Sequence, residues 1–103
     1  MKIAFSVNGV PIRLTAERLD HIMERHPELA GGDYRIVETL SAPDIVQRGD
    51  FGTLLAAKKY NKSPVSDNKY LVVAYRELSD SDGFVLTAYY QSSLRQRVTL
   101  WKK

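Results

Sequence analysis

The sequence predicts an α+β domain: an N-terminal β-hairpin and two helices packed on a roughly four-stranded antiparallel sheet. Three observations point there. Apolar residues recur at helical spacing between Ala16 and Leu40, runs rich in Val, Leu, Tyr and Phe dominate from Phe51 onward, and clusters of turn-forming residues separate most of those runs. With 103 residues, 44% of them hydrophobic, the chain is long enough to build one core, and a single domain over residues 1–103 is expected.

Residues 3–7 and 10–14 are β-favourable runs separated by Asn8-Gly9, a pair that favours a two-residue type I′ hairpin. Pro11 lacks a ladder donor and pushes the second run toward a sheet edge. Thr15 then reads as an N-cap, with Glu17 in the first turn and Leu14 and Leu19 placed as a hydrophobic staple. The helix should run from Ala16 to about Arg25, burying Leu19, Ile22 and Met23 on one face. Pro27 disfavours helical dihedrals at His26 and stops it. Gly31-Gly32-Asp33 reads as a loop ending in an N-cap, followed by a shorter helix through Ile36, Val37 and Leu40 that stops before Pro43. Four strands are expected at 51–60, 70–77, 84–90 and 97–102, with turns at 61–68 and 79–83.

Composition narrows the chemistry. The absence of cysteine excludes disulfides, thiolate zinc sites and a cysteine nucleophile. No apolar run is long enough for a membrane helix and no signal-like segment opens the chain, so no membrane partner and a cytoplasmic location are expected. The net charge of +3 is unevenly spread: residues 1–57 hold six Lys/Arg against eight Asp/Glu, and residues 58–103 hold nine against four. A basic C-terminal half is compatible with a polyanion partner, and equally with a solvated basic surface.

Both histidines fall within one stretch, His21 to His26, and imidazole is the side chain whose ordinary pKa suits proton transfer near neutrality. Five residues apart on a regular helix, they point about 140° away from one another. His26, next to Pro27, is freed from that geometry or serves as a helix C-cap. Glu17, Asp20 and Glu24 around His21 fit a solvated helix face better than a metal site. No Walker loop, Rossmann glycine pattern or zinc-type histidine pair is present.

The stretch Leu14-Thr15-Ala16-Glu17-Arg18-Leu19-Asp20-His21-Ile22-Met23-Glu24-Arg25-His26-Pro27-Glu28-Leu29 resembles the opening helix of phage-type members of the barnase-EndoU-colicin-RelE-like nuclease superfamily. Further matches follow in order. Glu38-Thr39-Leu40-Ser41-Ala42-Pro43-Asp44-Ile45-Val46 resembles the second helix and its exit, Tyr70-Leu71-Val72-Val73-Ala74-Tyr75 a central strand, and Phe84-Val85-Leu86-Thr87-Ala88-Tyr89 the next strand. The resemblance spans roughly residues 14–90, with the Asn-Gly hairpin and the segment 58–69 outside the matched parts. It implies a metal-independent ribonuclease without cofactor, of the kind used in toxins and phage proteins, with an RNA substrate and a cognate inhibitor or antitoxin as partners.

RNA cleavage without metal needs a base for the 2′-hydroxyl, an acid for the 5′-oxygen and donors for the charged transition state. His21 and His26 are the expected acid and base, with Thr87 and Tyr89, which share one face of their strand, as catalytic hydroxyls under the resemblance. Arg25, Lys58, Lys59, Arg76 and Arg95 are the expected substrate-binding cations, and Arg97 shares the ambiguity of strand-end charges. A non-enzymatic RNA- or protein-binding module on the same fold, and a ribosome-dependent mRNA cleaver, are the alternatives.

Overall fold

Alternating and continuous apolar runs assemble here into one mixed sheet that includes the N-terminal hairpin. The computed structural model describes residues 1–103. Its strands are β1 (Lys2–Phe5), β2 (Pro11–Leu14), β3 (Ile45–Arg48), β4 (Leu54–Tyr60), β5 (Lys69–Ser79), β6 (Asp82–Gln91) and β7 (Thr99–Lys102). They lie in the order β1-β2-β6-β5-β4-β3-β7. All neighbours are antiparallel except β2 and β6, which run parallel through Ile12↔Gly83 and Arg13↔Phe84. Helix α2 (Asp33–Ser41) packs on β1, β4 and β5, while α1 (Ala16–Arg25) packs along β6.

The α+β class and both helices agree with the sequence reading; the sheet is larger than expected. Seven strands replace four because the hairpin joins the sheet and because Ile45–Arg48, which begins within the expected helix exit at Ile45-Val46, forms β3. Pro11 does not sit in an edge strand. It opens β2, where a missing donor costs little, and β1 forms the edge. The hairpin loop also differs: the Gly9 amide donates to Ser6 O and the Ser6 amide to Val10 O. Gly9 alone has positive φ, at 77°, the pattern of a three-residue loop with a glycine bulge in place of a type I′ turn. Glu77 clamps this loop to β5, accepting from Ser6 Oγ at 2.5 Å and Asn8 Nδ2 at 2.9 Å.

Local signals set the helix ends. Thr15 Oγ1 accepts from the Arg18 amide at 3.1 Å and caps α1. Gly32 holds the N-cap position of α2, so Asp33 is its first residue, where the helix dipole favours a carboxylate.

Leu71 through Tyr75 of β5 are buried without a break, the pattern of a strand covered on both faces. Leu71, Val73 and Tyr75 join the main core beneath the helices with Ile12, Ile22, Leu29, Ile36 and Val85. Val72 and Ala74 join Leu55 and Ala57 in a smaller cluster on the opposite face, against which Tyr89 and Leu94 pack. The cover on that face is the connection between β6 and β7. Those strands lie far apart in the sheet, so residues 92–98 cross its open face. The crossing is tied down where Gln47 Nε2 donates to Arg95 O at 3.1 Å and the Arg48 amide to Val98 O at 2.9 Å.

Gly83 is required where β2 meets β6. A Cβ there would lie 2.5 Å from Arg76 O and 2.6 Å from Ile12 Cδ1. Gly83→Ala is expected to cost about 1–3 kcal/mol of stability, read from urea unfolding midpoints. Burial, helped by the Glu77 carboxylate, pushes the Tyr75 hydroxyl above the usual phenol range. The folded chain then holds this proton more tightly than the unfolded chain does. The resulting stability is complete below the unfolded value near 10.0 and falls as pH rises past it. Urea titrations on both sides of that pH should show the loss, and Tyr75→Phe should reduce its slope.

Candidate functional site

Pro27 ends α1 and turns His26 toward the sheet. His26 adopts φ −131° and ψ 74°, outside the helix, while its amide still donates to Ile22 O at 2.8 Å. Its ring lies 6.1 Å from the Tyr89 ring, tilted by 37°. Glu28, in the short 3-10 turn Pro27–Leu29, brings Oε1 to 3.4 Å from His26 Nδ1. The Glu28 carboxylate therefore stands on the Nδ1 side of the ring.

The position of α1 follows from a short pairing. β2 meets β6 only at Gly83 and Phe84, so residues 85–91 of β6 lack a strand neighbour on that side. Helix α1 occupies the gap, and Arg18 Nη1 reaches Leu86 O at 3.4 Å. Arg18, His21 and Arg25 recur at i, i+3 and i+7, a basic stripe flanking buried Ile22. With His26, Leu86 and Thr87 they line a hollow of about 440 Å³.

Both histidines therefore face one hollow, and the 140° offset of a regular helix does not apply because His26 has left the helix. Thr87 and Tyr89 pair with Ala74 and Val72 on the open face of the sheet. A register shift between Ala74 and Tyr75, opposite Val85 and Thr87, inserts Leu86 as an extra residue. Simple alternation, which puts Leu86 with Ala88 and Tyr90, fails there: Leu86 packs with the open-face cluster, while Ala88 and Tyr90 belong with the main core.

Tyr89 also walls a second hollow of about 350 Å³, floored by Leu55 and Val72 and bounded by the crossing segment. Gln47, Tyr90, Gln91, Leu94, Arg95 and Arg97 complete it. The two hollows share no lining residue; the His26–Tyr89 ring pair stands between them.

Of the expected residues, His21, His26, Arg25 and Thr87 line the first hollow, and Tyr89 and Arg95 line the second. Lys59 lies on the open face outside both hollows, its Nζ 5.9 Å from the Tyr70 ring centre. Two expected substrate contacts stand elsewhere. Lys58 projects to the helix side, donating to Ala42 O at 2.9 Å, where a cation suits the carbonyl end of α2. Arg76 lies by the Phe51-Gly52 turn, its Nη1 4.0 Å from where a Cβ on Gly52 would sit. Sequence reasoning missed Arg18, although its spacing from His21 and Arg25 carried the signal. It missed Gln47 and Gln91 because their role depends on a chain crossing with no local signature. No three histidine, aspartate or glutamate side chains converge as a metal-ligand cluster.

The two kinds of cation should separate in mutants. Were the hollow to take single-stranded RNA, Arg25→Ala would weaken its binding and lower the salt slope by about 0.7, the share of one phosphate contact. Lys58→Met should leave RNA affinity unchanged and cost about 0.5–1 kcal/mol of stability. Fluorescence anisotropy across a salt series, with urea unfolding, reads both. Neither a family model, a curated protein nor a solved structure matches this chain.

Proposed function

We propose that the protein is a metal-independent endoribonuclease that cleaves RNA by attack of the 2′-hydroxyl on the adjacent phosphate. One observation carries the reading: an imidazole backed by a carboxylate stands against Tyr89, with a second imidazole and two guanidiniums lining the same hollow. His26 takes the 2′-hydroxyl proton on Nε2 while Glu28 holds its Nδ1 and offsets the charge the ring acquires. The freed oxygen bonds to phosphorus, and the bond to the 5′-oxygen breaks. His21, which lines the same hollow, gives that oxygen its proton. The products are a 2′,3′-cyclic phosphate and a 5′-hydroxyl. Arg18 and Arg25 neutralise the phosphate as charge builds, and the Thr87 and Tyr89 hydroxyls donate to its oxygens.

The resemblance in residues 14–90 supports the same chemistry and suggests a toxin- or phage-associated setting with a protein inhibitor. Cleavage of a mixed RNA pool should persist in excess chelator and stop on substrates with a 2′-deoxy sugar at the scissile position. His26→Ala and His21→Ala should each slow it by about 10²-fold or more. Wild-type rates from both variants would sink the mechanism. RNA retention without cleavage would favour a binding module, and cleavage confined to reactions containing ribosomes would make the protein a ribosome-dependent cleaver.

A further inference from the structure

We infer that the turn between β3 and β4 is a stacking platform for an unpaired base of an RNA strand, with Phe51 as its ring. That the strand is RNA rests on the ribonuclease reading. Phe51 is 92% exposed, more than any other large apolar side chain. Its φ is 54°, and Gly52 after it has φ 79°. Two successive positive φ values mark a type I′ turn, closed here where the Thr53 amide donates to Asp50 O at 3.1 Å. Such a turn favours asparagine or glycine at its first central position, and the other non-glycine residue at positive φ is indeed an asparagine, Asn68. A phenylalanine at that position strains the backbone and leaves its ring in water. Packing recovers neither cost, since Phe51 belongs to neither apolar cluster.

What surrounds the ring selects the ligand. Arg76 Nη1 lies 4.0 Å from where a Cβ on Gly52 would sit, and Arg76 makes no ion pair. Arg97 reaches the same turn, its Nη1 3.6 Å from Asp50 Oδ1. Two guanidiniums against one carboxylate leave the turn net positive, which favours a polyanion over an ordinary protein surface. An exposed ring with guanidiniums nearby suits a nucleotide: the base stacks, and the phosphate meets the charge.

The sheet register puts the turn within reach of a strand held at the histidines. Tyr89, whose ring is 6.1 Å from that of His26, pairs with Val72, which pairs with Ala57 of β4. Thr53, beside the turn, is four residues from Ala57 along the chain, so it stands about 15–20 Å from Tyr89, two strands over. Arg97 links the two places, since it lines the hollow that Tyr89 walls and also pairs with Asp50. A strand leaving the histidines past Tyr89 meets Phe51 only after several nucleotides. Stacking on an exposed ring tolerates any base, so the platform strengthens the hold on longer strands without choosing a sequence.

The test uses fluorescein-labelled 2′-O-methyl oligonucleotides, which lack the attacking hydroxyl and so bind without being cleaved. Dissociation constants for oligouridylate and oligoadenylate octamers, and for a uridylate trimer, are read by anisotropy with the full chain at one salt concentration. Phe51→Asn is expected to weaken both octamers about tenfold and leave the trimer unchanged. The same variant should raise the urea unfolding midpoint, because asparagine suits the turn. Phe51→Tyr and Phe51→Trp should bind octamers within about twofold of wild type, and Phe51→Leu should bind as weakly as Phe51→Asn. Wild-type octamer affinity in Phe51→Asn would overturn the platform even if histidine-dependent cleavage is intact. Equal losses from the tyrosine and leucine variants, or a lowered unfolding midpoint in Phe51→Asn, would also overturn it, since the ring would then serve the fold. Phe51-dependent octamer binding by a protein that cleaves no RNA would support the platform and remove the catalytic reading.

Discussion

The continuous apolar run Leu71–Tyr75 is the constraint on which the rest of the structure depends. Alternating strands need one cover, and this one needs two. Helix α2 and the hairpin supply the first, closing the main core over Leu71, Val73 and Tyr75. The second cover is thin: one stretch of chain crossing the open face, with Leu94 set against the Val72–Ala74 cluster. A single segment cannot fill the width of a sheet. What it leaves uncovered is the hollow walled by Tyr89, whose ring stands 6.1 Å from that of His26.

The charge imbalance between the two halves of the chain proves a poor guide to where cations work. Much of the positive charge has structural duties. Arg13 pairs with Asp82 at 2.8 Å, and Lys58 serves the end of α2. The Arg35 guanidinium lies 4.2 Å from the Tyr60 ring centre and donates to the Tyr90 hydroxyl and Lys62 O. The cations that line the two hollows come from both halves: Arg18 and Arg25 on the acidic side of the sequence, Arg95 and Arg97 on the basic side. Position on the surface, set by which strand edge α1 must cover, outweighs the sum along the chain.

Features decided within a few residues were legible in the sequence. Thr15 capped α1, Pro27 released His26, and the apolar spacing of Ile36 and Leu40 set α2 on the core. What depended on distant partners was not. Four residues of β3 carry too weak a pattern to stand out after a Pro-Asp helix exit. The parallel pairing of β2 with β6 is fixed by two contacts more than 70 positions apart. The extra residue at Leu86 exists only relative to β5, so no reading of β6 alone reveals it. The histidine hollow was half visible, since α1 and the Thr87–Tyr89 face could be named separately but not joined. The neighbouring hollow was invisible, because its polar lining acquires meaning only once Arg95 and Ser93 stand over Gln47 and Gln91.

The crossing of residues 92–98 also imposes an order on assembly. A chain synthesised only as far as Gln91 already holds both histidines, Glu28, Thr87 and Tyr89, together with the strands that carry the main core. It lacks the strap, its two arginines, and the β7 pairing with β3 that fastens the strap down. The second hollow is therefore finished only once residues 92–102 are in place, and a chain cut after Gln91 would lack the wall that Leu94, Arg95 and Arg97 supply. Docking of that strap, rather than formation of the core, completes the hollow.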